Sequence, residues 1–145
     1  MTENKIIVDK ETLEFKRYSN DFFEATEKEL FMDEPIWKVC KILTDKGYRL
    51  NYSCGGHINI GAYKSKAVLG VEIGFCYDYG INPPSINGVK LTRNEHCGMH
   101  HQKTSVGYRY EYTTRKKDKE LLENKRAEII NTLEAWASEL GEVDF

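Results

Sequence analysis

The chain has 145 residues, the size of one domain with one hydrophobic core, and residues 1–145 are read as a single domain. Its 21 basic and 23 acidic residues leave a net charge of −2, which does not imply a broad surface for long nucleic acid. No apolar run reaches the length of a membrane span, the opening Met-Thr-Glu-Asn-Lys does not read as a signal peptide, and Cys40, Cys54, Cys76 and Cys97 are expected as thiols of a reducing cytosol.

Charge is unevenly spread. Residues 1–34 hold ten acids and five bases, whereas residues 90–117 hold seven bases and two acids. A local basic face of that size suits a small anionic ligand or a plain solvated surface.

In chain order, Lys5 to Val8 predicts a short edge strand, with residues 1–11 flexible or added to a sheet edge. Thr12 to Leu30 predicts a helix with Phe15, Phe22, Phe23 and Leu30 on one loose apolar face. Asp33-Glu34-Pro35 is a helix start, and Ile36, Val39, Cys40 and Leu43 then recur at helical spacing until Gly47 stops the helix. Tyr48 to Ser53 alternates as a strand and runs into Cys54-Gly55-Gly56-His57, which reads as a tight polar turn. Ala67 to Tyr79 is the clearest strand, with Leu69, Val71, Ile73, Phe75 and Tyr77 on one face. Gly70 and Gly74 lie on the other face and predict a bare strip of sheet. A turn-rich loop from Gly80 to Gly88 leads to a short strand, Val89 to Arg93, and a polar loop, Asn94 to Gly107. Tyr108 to Tyr112 alternates again, and Arg115 to Leu140 carries a helical stripe of Leu122, Ile129, Leu133, Trp136 and Leu140. The order predicts an α+β fold: an antiparallel sheet of about four strands, with N-terminal helices and a long C-terminal helix packed on one face.

Eight of the nine tyrosines fall between Tyr48 and Tyr112. Tyrosine suits strands for packing reasons alone, but beside Arg93 and Arg109 it also offers stacking faces and hydroxyls next to bidentate phosphate donors. This makes Cys54, Gly55, Gly56, His57, Phe75, Tyr77, Arg93, Arg109 and Tyr110 the candidate ligand-binding residues. Cys54-x-x-His57 and Cys97-x-x-His100 also form two pairs whose union would be a Cys₂His₂ zinc set, while His96 and His101 read as surface residues. A Cys54–His57 nucleophile pair lacks a recognisable third member, and no phosphate loop or dinucleotide fingerprint is present, so a binder is expected ahead of an enzyme.

The turn Leu43 to Tyr48, the Asn51 to His57 box, the strands Val71 to Tyr77 and Tyr108 to Tyr112, and the pair Trp136-Ala137 together resemble small proteins of phages and prophages of Gram-positive bacteria. That group shares a Cys-Ser/Gly-Gly-His box, and the resemblance spans about residues 35–140. It implies a phage protein in a bacterial host cytosol. By analogy of context and size it suggests an anti-defence role, in which a nucleotide-derived immune signal is sequestered uncleaved. The expected partners are therefore a small anionic nucleotide-like ligand and further copies of the chain, with no membrane, no long nucleic acid and no required cofactor. Two alternatives stand beside this. One is a zinc-stabilised module that blocks a host defence protein. The other is a small hydrolase using Cys54 and His57.

Overall fold

A computed structural model describes residues 4–60, 65–96 and 105–143, without the side chains of His57 and His96. The fold is α+β with antiparallel sheets and a long C-terminal helix. Among the described residues there are seven strands and two α-helices. A three-stranded sheet is built from β1 (Lys5–Asp9), β2 (Phe15–Tyr18) and β3 (Glu29–Asp33) in the order β2-β1-β3. Helix α1 (Glu34–Asp45) leads to a four-stranded sheet of β4 (Leu50–Asn59), β5 (Ala67–Phe75), β6 (Lys90–His96) and β7 (Ser105–Thr114), ordered β4-β5-β7-β6. Helix α2 (Lys119–Glu139) closes the chain.

The region expected as the first helix is instead strand, 3₁₀ turn (Phe22–Glu24) and strand. Short polar side chains divert its backbone. Asp9 Oδ1 accepts the N–H groups of Glu11 and Thr12, and Leu13 takes φ 59°. Further on, Ser19 accepts the N–H of Asp21, and Asp21 accepts that of Phe23. Lys5–Asp9 is the middle strand of its sheet and not an edge, so Ile6, Ile7 and Val8 are all fully buried.

Helix α1 matches its sequence signals. Pro35 sits in the first turn, and Ile36, Val39, Cys40 and Leu43 are buried. Each such apolar side chain contributes about 1.5–3 kcal/mol. The helix ends as a Schellman motif: the Tyr48 N–H reaches Leu43 O, the Gly47 N–H reaches Thr44 O, and Gly47 holds φ 96°. Helix α2 starts at Lys119, four residues later than Arg115, because the Asp118 carboxylate accepts the N–H groups of Glu120 and Leu121. Lys46 ties the two helix ends together by donating to the carbonyls of Ala137, Ser138 and Leu140, where a cation also opposes the helix dipole.

Both helices cover one face of the four-stranded sheet. That face presents Leu69, Val71, Ile73 and Phe75 from β5 and Val106, Tyr108 and Tyr110 from β7. Tyr108 and Tyr110 donate their hydroxyls to Ile81 O and Pro84 O, which pins the proline loop over the core. Among the described residues no helix is long and apolar enough to cross a membrane.

Candidate functional site

The Cys54 to His57 box is not a turn at the end of a strand. Strand β4 runs through it, and a bulge sets Gly55 and Gly56 against one residue of β5: Cys54 faces Glu72, and His57 faces Gly70. Each glycine has a packing reason. The Gly55 N–H donates to Asp33 Oδ2 at 2.9 Å, and a Cβ on Gly55 would lie 2.8 Å from the Asp33 Cβ. Asp33 also pairs with Lys5, so its carboxylate serves other strands instead of capping its own helix. Gly56 holds φ 115°, and a Cβ there would lie 2.7 Å from Cδ of the buried Arg126, whose Nη1 is 3.5 Å from Gly56 O. The box is a joint where β3, α1 and α2 meet β4.

The open face of the four-stranded sheet holds a second group of polar side chains. Arg109 sits in mid-strand opposite Glu72 on β5 and Thr92 on β6. Its guanidinium is paired with Glu72 and donates to Glu111 at 3.3 Å. Burial alone would lower the Arg109 pKa, but the two carboxylates outweigh it and hold it above the usual value. The strip of glycines on this face is not bare. A Cβ on Gly70 would meet the Arg109 guanidinium at 2.6 Å, and Cβ atoms on Gly74 or Gly107 would collide with the Tyr52 side chain. Tyr52 thus spans from β4 over β5 to β7, a large side chain lying where glycines leave the sheet uncovered. Tyr52 stays 42% exposed. Burial, and then the Glu72 charge, raise its phenol pKa, with Arg109 opposing, so its hydroxyl remains a donor at neutral pH.

The remaining candidates do not converge here. Phe75 and Tyr110 are each 1% exposed and belong to the covered face, where no ligand can stack on them. Burial also raises the Tyr110 phenol. Arg93 lies opposite Tyr108, on the face away from Arg109, and is bound to Asp78 at 2.9 Å and to Glu95. Those partners hold its pKa above the usual value. Arg93 and Arg109 therefore cannot grip one phosphate group from the same side. Tyr77, half-buried past the end of β5, packs edge-on against Tyr79 at 6.1 Å.

Cys54 lies on the open face, but β4 and β6 are opposite edges of the sheet, about 14 Å apart across three strand spacings. Cys97 and His100 lie outside the described residues, as does His101. Among the described residues no group of three or more His, Cys, Asp or Glu side chains could hold a metal ion. Simple alternation along Tyr48 to Ser53 puts Tyr52 on the face of Tyr48 and Leu50, and the register shift between Leu50 and Tyr52 turns it over. Gly70 and Gly74, spaced to share a face, were the signal that a large side chain lies across them. No family model, curated protein or solved structure matches the chain.

Proposed function

We propose that the chain is a binding protein that takes a small anionic, nucleotide-derived ligand on the open face of the four-stranded sheet and holds it without cleaving it. One observation carries the reading: the exposed Tyr52 ring and the Arg109 guanidinium lie over one strip of glycines, Gly70, Gly74 and Gly107. A base stacks on an aromatic ring, and a guanidinium donates to phosphate oxygens, at adjoining positions of one sheet. Cys54 and the backbone about His57 border the same face. The face is open, so enclosing a small ligand calls for a second copy over it, and the proposal includes a homo-oligomer. In the phage setting that the resemblance implies, retention would withhold an immune signal from its receptor.

Arg109 is already balanced by Glu72 and Glu111, so a phosphate has to exchange with a carboxylate. This gives the test its sign. Thermal shift and calorimetry against cyclic oligonucleotides and cyclic ADP-ribose isomers should identify a ligand, and heating the complex should release it intact. Tyr52→Ala should weaken binding by roughly fivefold to a hundredfold, from a stacking contribution of ~1–3 kcal/mol. Arg109→Ala should weaken it about tenfold to a hundredfold, from a charged hydrogen bond of ~1.5–3 kcal/mol. Glu72→Gln should tighten it by removing the competitor. If no member of the panel binds the folded protein, or both losses are absent, the proposed face is wrong. A changed product after heating would mean a hydrolase. The zinc-stabilised alternative has less support from the sheet order. Stoichiometric zinc that disappears in both Cys54→Ser and Cys97→Ser would restore it.

A further inference from the structure

The three-stranded sheet carries a second surface, remote in sequence from the glycine strip. Phe22 and Phe23 are 63% and 89% exposed, although aromatic side chains of that size gain most from burial. They are not loose. Their rings meet edge-on at 5.7 Å, and Phe22 rests edge-on against Phe31 at 5.9 Å. Phe31 stands opposite the fully buried Ile7. The Phe23 N–H donates to Asp21, and the Ala25 N–H to Phe22 O, so the turn that presents the pair is braced from both ends.

We infer that this aromatic pair is the anchor of a docking surface for a basic protein segment, one that presents an apolar side chain to Phe22 and Phe23 and a lysine or arginine beside them. Charge selects this occupant. Residues 1–34 carry ten acids against five bases. Of the five bases, Lys5 is committed to Asp33 and Arg17 to Glu29, with Arg17 also donating to the Glu24 carbonyl, which leaves Lys10, Lys16 and Lys28 against the remaining acids. Among the described residues, Asp21 and Glu24 have no basic side chain within ion-pair distance, and both stand beside the pair. They also line an open cavity of about 500 Å³, together with Asn4, Lys5, Tyr18, Ser19 and Asn20, in which the Lys5 charge is met by Asp33. A second copy docking by the same patch would bring Asp21 and Glu24 against themselves, which like-charge repulsion opposes. An anionic lipid surface is repelled by the same charge.

The test uses the full chain and fluorescein-labelled peptides read by anisotropy: a Leu-Ser-Lys repeat, with Leu-Ser-Glu and Ser-Ser-Lys repeats as controls. The Leu-Ser-Lys peptide should bind best and weaken as salt is raised. Phe23→Ser should weaken it about tenfold, as loss of an aromatic anchor does, while leaving the melting temperature unchanged because the ring is largely exposed. Glu24→Gln should weaken it to a smaller degree. The inference is overturned if the Leu-Ser-Lys peptide does not bind or the acidic repeat binds equally. It is also overturned if Phe23→Ser binds like the parent. Light scattering that shows a dimer dissolved by Phe23→Ser would assign the patch to self-association, and co-sedimentation with zwitterionic vesicles that Phe23→Ser abolishes would assign it to a lipid surface. Either result removes the basic partner. None of these outcomes depends on Tyr52 or Arg109.

Discussion

Gly55 and Gly56 carry opposite lessons from the same dipeptide. Gly55 is required by space, because Asp33 stands where a Cβ would go. Gly56 is required by conformation, because its φ of 115° is one that side chains rarely adopt. Gly56→Ala should therefore lower stability by about 1–3 kcal/mol, or roughly 3 to 10 °C in melting temperature for a chain of this size. A variant that keeps its melting temperature but loses ligand would return the box to the ligand site. The sequence announced that something special happens at Cys54 to His57, and a bulge and a turn ask for the same glycines. What the glycines accommodate lies 22 residues away at Asp33 and 70 residues away at Arg126, and no local pattern names those partners.

At the scale of elements, legibility followed periodicity. Helix α1, helix α2, β5 and β7 each repeat their apolar residues at one period and formed there, with α2 starting later, at Lys119, and β5 ending earlier, at Phe75, than expected. Residues 12–30 do not. Phe15, Phe22, Phe23 and Leu30 fit one helical face only with the polar Ser19 and Thr26 in its gaps, and all four remain exposed on strands and a turn. What holds those short strands together is partly ionic. Arg17 on β2 reaches Glu29 on β3 over the intervening β1, with Nη1 to Oε2 at 3.0 Å and Nη2 to Oε1 at 3.2 Å. That hydrogen bonding holds the Glu29 carboxyl at about 2, well below its ordinary value of 4.5. A carboxyl depressed in the folded state supplies its stability above the unfolded value and loses it as pH falls through the folded one. The melting temperature should thus decline from about pH 4.5 towards pH 2. Arg17→Ala should flatten this decline relative to the parent. An unaltered acid profile in that variant would show that the bidentate pair contributes no measurable stability.

For the whole molecule, the sheet order decides which contacts are local. The pairs β1–β2, β4–β5 and β6–β7 join strands adjacent in sequence, whereas β1–β3 pairs across β2, and β5–β7, from Ala67 opposite Thr114 to Phe75 opposite Val106, joins strands on either side of β6. That central pairing was not legible, because strand periodicity says where a strand lies and not which strand it meets. It has a kinetic consequence. Closing β5 onto β7 spans about 30 residues from Phe75 to Val106, but if β6 has already paired with β7 the span to Lys90 is about half that, which saves ~0.6 kcal/mol of closure entropy. The cheapest route therefore zips the β6–β7 hairpin first and docks it onto β5 in the slow step, with the N-terminal sheet added afterwards. In stopped-flow refolding, Val71→Ala, opposite Tyr110, should slow the folding limb, while Ile7→Ala should mainly quicken unfolding. If Ile7→Ala slows refolding as much as Val71→Ala does, the N-terminal sheet belongs to the folding nucleus, and the chain assembles from its first strands onward.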